Sequence, residues 1–215
     1  VSGDLFAPDD GAWVERLAPG TVLLHGWACA QDADLCAAIG EIIRLAPLRG
    51  MATPGGQNMS VQTSSCGDWG WVSDRHGYRY AAADPQNGQP WPRMPERFRQ
   101  LAQGAAAAAG FPGFLPDACL INCYLPGARM GLHQDKDERD FAAPIVSVSL
   151  GLPAVFLLGG LRRADRALKI ALHHGDVLVW GAEDRMRFHG VQPVKPGIHP
   201  LLGERRVNLT FRKAR

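Results

Sequence analysis

His133 and Asp135 stand two residues apart in the stretch Gly131-Leu132-His133-Gln134-Asp135-Lys136-Asp137. On an extended backbone such a pair points to one face, so an imidazole and a carboxylate can converge there. These are two of the three ligands in a facial triad of two histidines and one carboxylate. A triad of that kind holds ferrous iron and leaves coordination positions open. Alone, such a pair is usually just two solvated polar side chains, so the chain must also offer a third ligand and a reason for an open metal.

Both are available further along. In Arg206-Val207-Asn208-Leu209-Thr210-Phe211-Arg212 polar and apolar residues alternate strictly. A period of two puts two arginines, an asparagine and a threonine on one side of a strand and three apolar residues on the other. An edge strand with its polar face in water would read the same way. Asn122 and Tyr124 share one face of an earlier strand just upstream of the His-x-Asp pair. Two strands turning Asn, Tyr, Asn and two Arg inward need an anion, and a small dicarboxylate held by an arginine at each end would serve. His189, on its own short strand, supplies a second histidine that a jelly roll can bring across the barrel mouth. The other histidines, His25, His76, His173, His174 and His199, sit in sequence settings typical of turns and surface.

The 215 residues, 46% of them hydrophobic, suffice for one domain with a full core. The net charge of +2 conceals an acidic run over 135–140 and arginines crowded at 162–166 and 205–215, a bias that suits a polyanionic partner or a solvated surface. Five cysteines without a Cys-x-x-Cys argue against a disulfide framework or zinc knuckle and for a reducing compartment. No signal-peptide pattern and no bilayer-length apolar run are present, so a cytoplasmic protein without membrane contact, acting as a monomer, is expected.

The elements that must position these residues follow from period and punctuation. Residues 1–20 show no clear period, and 21–24 read as a strand. Asp32 heads a helix over 33–45, with Leu35, Ile39, Ile42 and Ile43 as its apolar stripe. Glycine-rich, aromatic-bearing hairpins are expected over 51–80, then a proline-rich connector over 85–95. Pro95 opens a second helix over 96–109, closed by Gly110. From Asp117 the pattern becomes short strands over 118–124, 145–152, 155–158, 176–180, 188–192 and 206–212. Helices followed by many antiparallel strands predict an α+β domain with a jelly-roll core, a double-stranded β-helix, and N-terminal helices packed on the sheet.

Taken in order, Asn-x-Tyr, His-x-Asp, a distant His and Arg-x-Asn-x-x-x-Arg form a specific set. Together with Thr53-Pro54-Gly55-Gly56, Met59-Ser60, Gly70-Trp71, residues 117–122 and residues 144–151, it resembles the AlkB-type nucleic-acid dealkylases, within the Fe(II)- and 2-oxoglutarate-dependent dioxygenases. The resemblance runs from about residue 50 to 212. It implies a single dioxygenase domain over 1–215, with a nucleotide-recognition lid near 50–82 and a catalytic jelly roll near 117–213. It implies that His133, Asp135 and His189 bind iron. Asn122 and Arg212 would hold the 1-carboxylate side of 2-oxoglutarate, with Tyr124, Arg206 and Asn208 towards its 5-carboxylate. Trp71 and His133 would sandwich a flipped base, Asp137 and Tyr78 would line its pocket, and Thr53, Tyr78 and Arg163 would approach the nucleotide or nearby phosphates.

The implied reaction uses Fe(II), 2-oxoglutarate and O2 to demethylate 1-methyladenine- or 3-methylcytosine-type bases in single- or double-stranded DNA, or in RNA, releasing formaldehyde, succinate and CO2. The chain departs from the familiar pattern at Gln57, Thr63, Cys123, Leu157 and Leu158, in the expected lid and pocket wall. These changes bear on substrate preference rather than on the reaction. Three other readings stay open: an oxygenase acting on a protein or small molecule, a cupin-like binding protein without turnover, and a zinc hydrolase.

Overall fold

A computed structural model of the chain describes residues 13–215. Its largest sheet combines strands from both ends of the sequence. In chain order these are β1 (Trp13–Ala18), β2 (Thr21–His25), β3 (Arg49–Ala52), β4 (Asn58–Gly67), β7 (Ala118–Tyr124), β9 (Ile145–Gly151), β12 (Val177–Trp180) and β14 (Arg206–Arg212). They lie in the spatial order β1-β2-β12-β9-β14-β7-β4-β3. Facing them is a smaller sheet of β8 (Met130–His133), β10 (Ala154–Leu158), β11 (Leu168–Leu172) and β13 (His189–Val191), ordered β11-β10-β13-β8. A separate hairpin of β5 (Gly70–Asp74) and β6 (Gly77–Ala81) completes the strands. The result is the expected α+β fold with a jelly-roll core.

Strand alternation divides the interior in two. Cys119, Ile121, Cys123, Val207, Leu209 and Phe211 face outwards from the large sheet and pack against α1 (Asp32–Leu45) and α2 (Glu96–Ala108). Leu35, Ile39 and Ile42 of α1, with Phe98, Leu101, Ala102 and Ala105 of α2, form the helical side of that layer. Small alanines on α2 let the helix lie close to the sheet. The opposite parity, with Tyr124, Ile145, Leu178 and Trp180, faces the small sheet and packs against Phe156, Leu158, Ile170 and Val191. Burial on both faces lets β12, Val177–Trp180, read as a continuous apolar run, whereas β9 and β14 keep polar residues on their cavity-facing side.

α2 ends as its sequence predicts. Gly110 adopts φ of 97°, and its N–H donates to the Ala107 carbonyl while Phe111 N–H donates to Ala106. This crossed pair satisfies two terminal carbonyls and needs a left-handed residue at Gly110.

Several sequence expectations need correction. Residues 1–12 lie outside the described part, but 13–18 are β1, not irregular chain. Trp13 stacks on His25 of β2 at 3.8 Å, a cross-strand pair hidden in the sequence by the charged residues Glu15 and Arg16. β8 and β11 are also additional strands. β14 lies between β9 and β7 with all seven residues buried, which excludes the edge-strand reading. Among the described residues, no helix is long and apolar enough to cross a membrane.

Candidate metal and cosubstrate centre

The two histidines come from paired strands of the small sheet. His189 of β13 lies directly opposite His133 of β8, and their rings are 4.4 Å apart between centroids. The register slips by a residue immediately afterwards, at Gly190. A side chain there would come within 2.7 Å of the Met130 carbonyl oxygen, so only glycine permits the strands to approach this closely. Phe156 stacks on the His189 ring at 5.8 Å and Trp180 meets it edge-on at 5.0 Å, which limits its rotation.

Asp135 follows the end of β8 and turns back towards both rings. Its Oδ1 lies 3.6 Å from His133 Nε2 and 3.8 Å from His189 Nε2. One ligand atom from each of the three residues lies within 4.8 Å of the others. His133 Nδ1 is 2.9 Å from the Gly131 carbonyl, and His189 Nδ1 is 3.1 Å from the Arg187 carbonyl. A carbonyl accepts only from N–H, so each Nδ1 carries the proton and each Nε2 presents its lone pair inwards. Two imidazole Nε2 atoms and one carboxylate oxygen fit ferrous iron with positions left over for other ligands.

Electrostatics keep this donor set ready. Burial would raise the Asp135 carboxyl, but the Arg212 guanidinium, then His189 and His133, outweigh it and hold the group well below the usual carboxylate range. Arg212 Nε and Nη2 donate to Asp135 Oδ2 at 2.8 and 2.6 Å, leaving Oδ1 for the metal. Burial, followed by the neighbouring His133, depresses His189 to about 3, so it is neutral near pH 7.

A second group of polar residues comes from the large sheet. Tyr124 pairs with Arg206, and Asn122 with Asn208, across β7 and β14. Arg206 is 1% exposed, yet only its Nη2 is engaged, donating to Ser149 Oγ at 3.0 Å. Its Nε and Nη1 have no hydrogen-bond partner, and its guanidinium lies 5.0 Å above the Tyr124 ring. Burial pushes the Arg206 pKa down, countered by Tyr124, but guanidinium stays charged in proteins. A buried cation with free, forked donors suits a carboxylate.

A cavity of about 890 Å³ joins these parts. It is lined by His133, Asp135 and His189, by Asn122, Tyr124, Arg206, Asn208 and Arg212, and by Thr53, Trp71, Tyr78, Asp137 and Arg163. All thirteen residues singled out from the sequence therefore open on one space. Trp71 stacks on Tyr78 at 5.6 Å, and its Nε1 donates to Asp137 Oδ2 at 2.8 Å. Of the departures, Gln57 lines the cavity. Thr63, Cys123, Leu157 and Leu158 are not among its lining residues, contrary to the expected pocket wall; Leu158, for example, is packed in the sandwich core. The other histidines lie elsewhere, and His25 and His174 are partly buried and tied to Glu15 and Asp32 rather than free on the surface.

Behind the metal trio is a buried network that the sequence reading missed. Glu138 accepts from Tyr80 Oη at 2.7 Å and from Arg185 Nη2 at 3.0 Å, and lies 3.4 Å from Arg212 Nε. Arg185 Nη1 also donates to the Asp135 backbone carbonyl at 2.8 Å. Tyr80 thus connects the β5–β6 hairpin to the loop carrying Asp135. Only the acidic run around Glu138 hinted at this in the sequence.

Comparisons with known proteins agree with this geometry. A family model described as the 2OG-Fe(II) oxygenase superfamily matches residues 20–212. The chain is 55% identical over 211 residues to the alpha-ketoglutarate-dependent dioxygenase AlkB of Salmonella typhimurium, covering 98% of this chain and 97% of that one. It is 54% identical over 211 residues, with the same coverage, to the protein of that name in Escherichia coli. The solved structure of OsALKBH1 superposes with a TM-score of 0.83 at 32% identity, covering 93% of this chain and 99% of the other. The chain belongs to the AlkB-type family of Fe(II)- and 2-oxoglutarate-dependent dioxygenases.

Proposed function

We propose that the chain oxidatively demethylates N-alkylated bases of the 1-methyladenine and 3-methylcytosine type in DNA, with RNA as a second substrate. The reading rests above all on Arg206, a buried cation with two unpaired guanidinium nitrogens opening on the same cavity as His133, Asp135 and His189. The names of the bacterial relatives support the oxygenase chemistry, and relatives named as DNA N(6)-methyladenine demethylases support action on nucleic acids.

When bound, ferrous iron with 2-oxoglutarate and O2 supplies an oxidant strong enough to hydroxylate an unactivated methyl group. His133, Asp135 and His189 would hold that iron through Nε2, Oδ1 and Nε2. Arg206, with Ser149 and Tyr124 beside it and Asn208 on the same strand, would seat the distal carboxylate of the cosubstrate, and Asn122 and Arg212 would line its other end. Arg212 has a second duty, since its bonds to Asp135 orient the metal ligand. The hydroxymethyl group formed on the base nitrogen collapses to formaldehyde and the repaired base.

Methylation at a Watson–Crick nitrogen abolishes pairing and leaves the base cationic, which lowers the cost of flipping it out. Trp71, backed by Tyr78, would stack on the flipped base, with His133 on its other side, for about 1–3 kcal/mol. The Asp137 carboxylate would favour the cationic form by charge. Thr53 and Arg163, at the mouth, would meet the strand's phosphates. Mass spectrometry of methylated oligonucleotides incubated with iron and 2-oxoglutarate tests this reading. With wild type the oligonucleotide should lose the mass of one CH2 with formaldehyde release, and with His133→Ala it should not; turnover of a peptide but no oligonucleotide would contradict it. Asp137→Asn keeps an acceptor for Trp71 Nε1 while removing the charge. It should slow repair of cationic lesions at least about tenfold and change neutral ethenoadenine repair much less; equal losses would count against the charge role.

A further inference from the structure

Thr63 is fully buried on β4, and its Oγ1 has no hydrogen-bond partner. It lies directly opposite Asn122 of β7, whose Oδ1 also has none. Asn122 lies opposite Asn208 of β14, which lies opposite Ser149 of β9. The four side chains thus form one polar row across four adjacent strands, on the cavity side of the large sheet.

Hydrogen-bond polarity along this row is set from its far end. Asn208 Nδ2 donates to the Val148 carbonyl at 2.9 Å and to Ser147 Oγ at 2.8 Å. A carbonyl can only accept, so the Asn208 amide has one orientation, with Oδ1 as its acceptor. That oxygen already receives the Thr210 hydroxyl at 2.8 Å, and Asn122 Nδ2 reaches it at 3.4 Å. The second bond is long, so by itself it holds the Asn122 amide weakly. The Asn122 oxygen is left needing a donor, and the residue paired with it on the other flanking strand is Thr63. Two buried polar groups opposite each other but not directly bonded are the setting in which one ordered water bridges them.

We propose that Thr63 is a positioning residue for the cosubstrate site: its hydroxyl, through one bridging water, holds the oxygen of Asn122 away from the bound diacid and keeps Nδ2 for the carboxylate. With the amide reversed, Asn122 would present an oxygen to an anion and repel it. Thr63 is not among the residues lining the cavity, so it acts only through Asn122. Ser65, two residues along on the same face, also has an unpartnered hydroxyl but lies opposite Leu120, with no amide to orient. The inference rests on the reading of Asn122 as part of a 2-oxoglutarate site.

Calorimetry of 2-oxoglutarate binding to the Mn(II)-loaded chain tests it without turnover. Thr63→Val is isosteric and should weaken binding about tenfold, the loss of one buried hydrogen bond, while leaving Mn(II) affinity unchanged. Thr63→Ser should restore binding to within about twofold of wild type, and Ser65→Ala should stay within the same range. In an Asn122→Leu background, Thr63→Val should have no further effect. Wild-type affinity in Thr63→Val, a parallel fall in Mn(II) affinity, or an undiminished effect in the Asn122→Leu background would each overturn the role of Thr63. Wild type that binds Mn(II) but no 2-oxoglutarate would overturn the cosubstrate reading itself, and the inference with it.

Discussion

Asp135 divides its carboxylate between two tasks, with Oδ1 facing the histidines and Oδ2 fixed by Arg212. Arg206 is the complementary case, a buried guanidinium held by one serine and a tyrosine ring. A buried, incompletely paired charge costs stability, so exchanging it for an apolar residue of similar length relieves that cost. Arg206→Met should therefore leave the melting temperature of the ligand-free protein unchanged or raised, while lowering 2-oxoglutarate affinity roughly 100-fold. A variant that unfolds, or that binds the diacid normally, would refute the clamp. His189 gives a pH dependence with a definite sign. Its ordinary value is 6.5 and its folded value about 3, so between these the unfolded chain holds the extra proton. Stability of the metal-free protein should rise with pH across that window and be complete above it, a contribution on the order of a few kcal/mol. Denaturant midpoints at pH 5 and pH 7 should differ more for wild type than for His189→Gln; equal differences would contradict this origin.

At the scale of elements, legibility in the sequence followed burial. β7, β9 and β14 are seven residues each, and their alternation separates helix-facing from cavity-facing side chains. That alternation is why Asn122, Tyr124, Arg206, Asn208 and Arg212 stood out together. β8 has four residues, a glycine and a partly exposed pattern, too little period to mark a strand. β1 is an exposed edge. The Glu138–Arg185 pair joins residues 47 apart through a loop with no period at all, so no local pattern announces it. The same pair predicts how the hairpin is held. Tyr80→Phe removes only the hydroxyl that reaches Glu138, so amide exchange over residues 70–81 should accelerate about tenfold. Exchange in β9 and β14 should not change. Uniform acceleration, or none, would remove Tyr80 as the tie between hairpin and centre.

The whole molecule brings two sheets of different character to one mouth. The small sheet contributes the paired histidines, and the large sheet contributes the cationic and amide wall. On the proposed reading neither sheet alone would make a site for both a metal and a diacid, which is why the side chains from residues 122 to 212 form a specific set only when taken together. Their convergence depends on strand order, and order is the property least visible in a linear pattern. Anaerobic titration of the full chain with Fe(II) and 2-oxoglutarate measures that convergence directly. A weak visible charge-transfer band should appear only with both present, saturate at one of each per chain, and vanish in His189→Ala. No band in wild type at saturating iron and 2-oxoglutarate would contradict the account.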